Sequence, residues 1–594
     1  MTSKLIDRRD LDFVLFDLLG AEELFQRPRF AEHDRAGAAA ILDLAESIAA
    51  DHFATHNKKA DQNEPRFENG QAIVIPEVSE ALARFREAGF FGATAEAAEG
   101  GLQLPLTIAN AAMALFQAAN VGTTAYPFLT IGARNLLRAH GTPELAARFL
   151  PAMTEGRFFG TMCLSEPQAG SSLADITTRA EPQADGTYRL FGRKMWISAG
   201  EHELSDNIVH MVLAKMPGAP AGAKGISLFL APKYLLNDDG SIGARNDVTL
   251  AGLNHKMGYR GTTNCLLNFG EGAFSPQGAP GAVGYLVGAP HQGLAAMFLM
   301  MNEARIGVGL GATALGYAGY QHALDYAKSR PQGRPLGAKD PSTPQVPIIA
   351  HPDVRRLLLS QKAFVEGALA FVLYCARLVD DGETHPDSDK RAEAGLLLEL
   401  LTPIAKSWPS SFCLAANDMA IQVHGGYGYT RDYMVEQLYR DNRLNPIHEG
   451  THGVQALDLM GRKLGLAGGK ALHLFLTEVE ASAAQGIAAG GALARHGGAL
   501  KQACADIARI AAQFRPDMLE KAAPFLDAFG HVAIAWIWLR QALLLQGRED
   551  DFARGKRAAC AFFFDWELPK IAPVFALLDA DDWRLSALDA AVFG

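Results

Sequence analysis

A few short segments of this chain carry side chains that could do chemistry. Residues 446–451 (PIHEGT) place Glu449 between Ile447 and Gly450. A carboxylate partly withdrawn from water has its charged form disfavoured, so its pKa rises and it becomes a stronger base. The same residue also reads as a helix N-terminal carboxylate ahead of Thr451. Upstream, residues 422–429 (QVHGGYGY) form a glycine-rich turn, and Tyr439, Arg440 and Asp441 lie on a charged helix between the two turns. Residues 162–173 (MCLSEPQAGSSL) offer the hydroxyls of Ser165, Ser171 and Ser172 and backbone amides loosened by Gly170. Such a loop suits hydrogen bonding to a polar heterocycle or a phosphate. By itself it also reads as an ordinary turn. Residues 194–200 (KMWISAG) present Trp196, a flat apolar ring with one N–H donor, suited to stacking on another ring or to a core.

Other chemistries are excluded by residue type and spacing. The 17 histidines make no HExxH or clustered ligand set. No GxxxxGK[ST] phosphate loop is present. Residues 307–312 (GVGLGA) faintly match a dinucleotide fingerprint, but no strand precedes them and they sit inside a long helical pattern. They read as small residues for close helix packing. The six cysteines form no CxxC pair and no zinc set, which fits a reducing compartment and buried thiols. With 65 acidic against 55 basic residues the net charge is -10, the wrong sign for a non-specific nucleic-acid binder. The N-terminus lacks the apolar core of a signal peptide. The uncharged stretch from Val532 to Leu539 is far shorter than the ~20 residues a spanning helix needs. The expectation is a cytoplasmic, soluble protein with that stretch buried. Peripheral membrane contact through Trp536 and Trp538 is the alternative, because Trp favours interfaces.

The elements that must position these segments follow from texture. A chain of 594 residues allows about four units at roughly 150 residues each. Residues 1–160 are Ala-rich with helical periodicity, as at Ile41, Leu42, Leu44, Ala45 and Ile48. In residues 161–285 the apolar runs are short and broken by Gly, Asp and Asn. Residues 188–191, 194–198, 207–213, 225–230 and 264–269 read as strands with no helix between them, hence an antiparallel sheet or small barrel. Residues 286–468 are helical again, with a proline-rich loop at 330–347. Residues 469–594 add an Ala/Leu-rich helical block, and from Ala471 onward its 12 basic and 15 acidic residues leave it acidic.

Taken in this order, the segments resemble the acyl-CoA dehydrogenase family over residues 80–465. The long N-terminus and added C-terminal block resemble its long bacterial branch, which includes long- and medium-chain and 3-methylthiopropanoyl-CoA dehydrogenases. The resemblance implies an α+β fold: an N-terminal helical domain, a central antiparallel β-barrel or sandwich, a C-terminal four-helix bundle and an additional helical domain. It implies FAD as cofactor. Met162, Leu164 and Ser165 match the strand against the flavin, with Met162 standing where the family often has an aromatic. Trp196 and Ser198 match residues that cover the flavin and bind its phosphate region, and Thr451 matches a flavin contact. Arg330, Gln422, Gly425 and Gly426 match positions that hold the neighbouring subunit's FAD, so a homodimer or larger assembly is implied. Gly333 and Arg334 replace the usual Phe-Gly after that arginine. Ser171 matches a position near the CoA arm, Arg305 a helix arginine near base and substrate, and Gly450 a substrate contact. Glu449 matches the catalytic base. Relatives that carry the base elsewhere place it at the position of Ala304 here, and Glu303 is one residue, about 100°, off that register. By resemblance Thr123 and Thr124 lie near the acyl-tail pocket, and Pro127 is expected to kink that helix. The implied reaction is α,β-dehydrogenation of an acyl-CoA, with electrons passed to an electron-transferring flavoprotein. A 3-methylthiopropanoyl-CoA substrate and an oxygen-using acyl-CoA oxidase are the alternatives.

Overall fold

A computed structural model describes residues 4–580 and 585–594 of the chain. Two units emerge. One comprises Ala40–Leu104 and Ala119–Ala304; the other comprises Met1–Ala39, Pro105–Ala118 and Arg305–Gly594.

The first unit is built on an eight-stranded sheet. Its strands are β1 (Phe158–Cys163), β2 (Arg179–Pro182), β3 (Tyr188–Ser198), β4 (Asn207–Lys215), β5 (Ile226–Pro232), β6 (Val248–Leu253), β7 (Asn264–Phe269) and β8 (Ala282–Val287). The order is β6-β7-β3-β8-β5-β4-β1, with β2 against β3 and β4. Most pairings are antiparallel, as the short apolar runs imply; β1 runs parallel to β4, with Met162 opposite Met211. Strand alternation feeds two cores. Val209, Met211 and Leu213 of β4 and Leu228 and Leu230 of β5 face Leu136, Phe149 and Met153 of the flanking helices α1 (Leu106–His140) and α2 (Pro143–Thr154). The intervening Val212, Ala214, Phe229 and Ala231 face Leu250, Cys265, Leu267 and Phe269, so the sheet packs on itself. Thr142 caps α2 by accepting from Leu145 N at 3.3 Å, with Pro143 in the first turn.

The helix α1 breaks at Asn120 (φ -163°, ψ 90°) and runs on through Pro127, contrary to the expected kink. The physical reason is a cap. Asn120 Oδ1 accepts from Thr123 N at 3.0 Å and its Nδ2 donates to Phe53 O at 3.2 Å, so the helix restarts there. Thr123 is fully buried and bonded to His56 Nε2 at 2.8 Å.

The second unit is helical. Its main elements are α3 (Gly293–Ser329, from Arg305 onward), α4 (Pro352–Thr384), α5 (Ser388–His424), α6 (Val435–Asn442) and α7 (His452–Asp458). The glycines of residues 307–312 serve packing. A Cβ at Gly309 would stand 1.9 Å from Ala405 O, so α3 and α5 cross with backbones in contact. The added block contributes α8 (Lys470–Ala489), α9 (Gly491–Ala512), α10 (Ala522–Leu544) and α11 (Asp551–Phe562). Residues 516–544 are long and apolar enough to cross a membrane, but the most apolar part of this helix is 83% buried. Val532 to Leu539 are all buried, and Trp538 Nε1 donates to Ala363 O at 2.9 Å. A core helix explains the apolar run. Fully buried Lys556 of α11 pairs with Asp10 near the N-terminus and with Glu366 of α4 at 2.8 Å. All six cysteines are buried and free.

Candidate active site

The turn that carries Glu449 is built in the second unit. Thr451 caps α7 by accepting from Val454 N at 3.3 Å, which fixes where the turn ends. Glu449 sits at φ +55°, a left-handed conformation uncommon for a residue with a side chain. Gly450 follows at φ +88°, where only glycine is unstrained, and a Cβ there would stand 2.5 Å from Gln455 Nε2. Such strain persists only where the surroundings over-determine it. Here Gln455 Nε2 donates to Glu449 O at 3.0 Å and Lys406 Nζ to Gly450 O at 2.7 Å. The residue before the base is fixed by a relay of amides. Asn417 Nδ2 donates to Leu315 O, Asn442 Nδ2 to Asn417 Oδ1 at 2.7 Å, and Asn445 Nδ2 to Asn442 Oδ1 at 2.8 Å. His448 Nε2 then donates to Asn445 Oδ1 at 3.0 Å. Because that oxygen can only accept, the imidazole proton is on Nε2.

The Glu449 carboxylate accepts no hydrogen bond among the described residues, and burial raises its pKa to about 7, against the opposing pull of Lys406 and Arg305. Arg305 of α3 is itself buried, 3.7 Å from Asp458 Oδ2. Lys406 is drawn down to about 7, chiefly by burial. His448 is held neutral, near 3, for the same reason. The result is a carboxyl poised to exchange a proton near neutrality.

A second feature of this unit is a cavity of about 540 Å³ lined by Tyr326, Arg330, Val423, Gly425, Gly426 and Tyr427 among others. The Arg330 guanidinium lies 5.5 Å from the Tyr427 ring centroid. A Cβ on Gly425 or Gly426 would point into open space, so a side chain there would fill the hollow. Gln422 is exposed on the last turn of α5 and does not line the cavity; its carbonyl accepts from Gly425 N.

In the first unit, the 162–173 and 194–200 segments lie side by side. Ser165 O accepts from Met195 N at 3.0 Å, and Leu164 O accepts from Lys194 Nζ at 2.9 Å. Met162 is half-buried at the end of β1. Trp196, at φ +66°, leaves the strand conformation and is 59% exposed, a ring presented and not packed away. Ser198 Oγ accepts from Asn264 Nδ2 at 3.2 Å, and Ser171 is exposed on its loop. Glu303 is engaged by Asn135 Nδ2 at 3.0 Å.

Models of the acyl-CoA dehydrogenase N-terminal, middle and C-terminal domains match residues 36–157, 161–271 and 291–464. A model described as acetyl-CoA dehydrogenase C-terminal like matches residues 475–589. The 3-methylmercaptopropionyl-CoA dehydrogenase of Ruegeria pomeroyi is 34% identical over 93% of this chain and 94% of its own length. The chain belongs to the acyl-CoA dehydrogenase family. The broad-specificity linear acyl-CoA dehydrogenase FadE5 of Mycobacterium tuberculosis is 32% identical over 98% of this chain and 99% of its own. Among solved structures, Caenorhabditis elegans ACDH-11 in complex with C11-CoA has a TM-score of 0.76 at 20% identity, covering 94% of this chain and 90% of that one. The FAD complex of a Bacillus anthracis acyl-CoA dehydrogenase gives 0.72 at 20% identity over the same shares. The fold is therefore acyl-CoA dehydrogenase-like, with helical regions around a central β region and extra C-terminal helices. This enzyme is an FAD-dependent oxidoreductase, and its residues fit the cofactor. An exposed indole suits a flat ring system, and a guanidinium beside glycine amides in an open cradle suits a pyrophosphate.

Sequence reasoning missed the residues that hold the base's turn: Lys406, Asn445 and Gln455. One signal was available for Lys406, which is the only charged residue between Glu399 and Asp418 in an otherwise apolar and small-residue helix.

Proposed function

We propose that this enzyme dehydrogenates the α,β carbon–carbon bond of an acyl-CoA thioester, with Glu449 as the base that removes the α proton. One observation carries the reading: a carboxyl raised to about 7, free of hydrogen bonds among the described residues, projecting from a strained and many-times-tethered turn. The Glu449 N–H also makes no hydrogen bond among the described residues, and it is the donor for the thioester oxygen as enolate-like charge develops. Arg305, Ser171 and Gly450 contribute to substrate binding. Met162, Leu164, Ser165, Trp196, Ser198 and Thr451 hold the flavin, and Arg330, Gln422, Gly425 and Gly426 hold the cofactor of a neighbouring subunit in a homodimer. FAD, when bound, supplies the acceptor for the β hydride. An electron-transferring flavoprotein then takes the electrons, and the enzyme works in the cytoplasm in β-oxidation.

The names of the two curated relatives frame the substrate choice as straight-chain acyl or methylthio acyl thioesters. Anaerobic mixing of the FAD-loaded enzyme with acyl-CoAs from butyryl to stearoyl, and with 3-methylthiopropanoyl-CoA, tests the reading. Bleaching of the flavin by one class, with enoyl-CoA as product, is expected; no bleaching by any acyl-CoA overturns it. Rapid hydrogen peroxide release in air would replace the flavoprotein acceptor with oxygen. Sedimentation is expected to show at least a dimer.

A further inference from the structure

We propose that Lys406 is a positioning residue for proton abstraction: from α5 it ties the Gly450 carbonyl, holds the left-handed turn that aims Glu449, and presents a cation to that carboxylate. The inference rests on Glu449 being the base. Its support is geometric. Lys406 is fully buried, and its Nζ donates to Gly450 O at 2.7 Å. Burying an ammonium costs several kcal/mol unless it is paired, roughly speaking. Yet among the described residues no ion pair within reach involves Lys406, whereas the other buried lysines have carboxylate partners: Lys194 has Glu166 at 3.0 Å, Lys556 has Glu366 at 2.8 Å, Lys233 has Glu201 at 2.5 Å, and Lys463 has Glu399. A methionine would fill the same space at less cost, so packing does not require the charge. Its placement is specific: the close crossing at Gly309 and Ala405 seats the next residue of α5 under the turn.

The groups around the base divide the work. From α3, the charge of Arg305 also acts on Glu449, but it is shared with Asp458 of α7, 3.7 Å away. Asp458 also holds Arg462 at 2.7 Å, and Glu399 of α5 is taken by Lys463. His448, on the turn itself, is neutral. Among the described residues, Lys406 thus makes no ion pair, and the carboxylate whose charge acts on it is Glu449. Its charge lowers the Glu449 pKa, and its hydrogen bond fixes the carbonyl next to the base's own amide.

The test is the pH profile of flavin reduction in the FAD-loaded enzyme at saturating acyl-CoA, for Lys406→Met, Lys406→Gln and Lys406→Arg. The carboxylate is the active form, so losing the cation moves the acidic limb to higher pH. Lys406→Met should shift that limb up by about one pH unit and also lower the alkaline plateau by about tenfold. Lys406→Gln keeps a donor without charge, so it should shift the limb and recover most of the plateau. Lys406→Arg, which keeps its charge across the pH range where Lys406 begins to lose its own, should hold the limb at or below the wild-type pH. The ionisation can also be read without turnover, from the infrared carboxyl band of isotope-labelled glutamate that Glu449→Gln removes. If Lys406→Met fails to fold or to hold FAD, the Gln and Arg variants decide: a Gln variant with the wild-type limb overturns the proposal. A Glu449→Gln enzyme that still reduces its flavin rapidly overturns the base assignment itself. A dead Glu449→Gln beside unshifted Lys406 variants overturns only the role of Lys406.

Discussion

Two glutamates in this enzyme meet opposite fates. Glu166, in the β unit, has a side chain only 1% exposed, but each oxygen is saturated. One accepts from Thr178 N, Thr178 Oγ1 and Lys194 Nζ, the other from Thr177 N, Thr177 Oγ1 and Gln168 Nε2. Burial pushes its pKa up, the Lys194 charge and these donors outweigh burial, and it settles at about 2. Glu449 loses water too but gains no donor among the described residues, only the through-space charges of Lys406 and Arg305, and rises to about 7. Burial alone therefore does not make a base. What separates these two is the bonded counter-charge of Lys194 together with the donors, which make Glu166 a structural joint; Asp380, buried with three donors but no bonded cation among the described residues, is still raised to about 6.

The largest expected effect breaks the comparison from the catalytic side. Glu449→Gln keeps size and the Gln455 and Lys406 tethers, which act on the backbone. Single-turnover flavin reduction should fall by about 100- to 10,000-fold, with FAD content unchanged in the visible spectrum. A variant within threefold or so of wild type at full FAD content contradicts a general-base role.

The structural side breaks next. Lys194→Met leaves Glu166 buried without its counter-charge and should cost about 3 kcal/mol of stability in denaturant titrations. The pH sign follows from the depressed pKa. Glu166 stabilises the folded state fully above the ordinary carboxylate range, and that contribution is lost as pH falls from there toward about 2. The variant's acid-unfolding midpoint should therefore move to higher pH. A midpoint that stays put would show that the threonine donors alone hold the carboxylate.

What the sequence disclosed follows the same division between local and distant causes. The strands around 188–198, 207–213, 225–230 and 264–269 were legible as short apolar runs, buried on both faces in the two central ones, whereas Phe158–Cys163, Arg179–Pro182, Val248–Leu253 and Ala282–Val287 did not stand out. The segment 446–451 was legible because one carboxylate stands among apolar and glycine neighbours. The tethers were not, since Lys406 lies 43 residues before Glu449 and meets it only through the α3–α5 crossing. The break in α1 was misplaced because proline is a visible signal, whereas the cap of Asn120 depends on Phe53, far away in sequence.

Cofactor retention gives a smaller effect. Arg330→Ala removes the guanidinium from the glycine cradle, and FAD should dissociate about tenfold more readily, the scale of one lost charge-assisted contact. Flavin reduction at saturating FAD should change little. Equal loss of both would mean that the cradle and the proton-transfer site are not separable.

The smallest effect concerns Glu303, the other carboxylate that a family resemblance could nominate. Its helix position is one residue from Ala304, so its side chain leaves the axis about 100° from the direction a base at 304 would take. It is also occupied, because Oε2 accepts from Asn135 Nδ2 at 3.0 Å. Glu303→Gln keeps a carbonyl oxygen for that donor and removes only the charge. The reductive step should stay within about an order of magnitude of wild type, since no proton is routed through the site. Because a hydrogen-bonded carboxylate resembles Glu166 more than Glu449, the change should appear in thermal stability before it appears in rate. A Glu303→Gln enzyme as slow as Glu449→Gln, with normal FAD content, would move the base to α3 and dissolve the distinction between bonded and unbonded carboxylates.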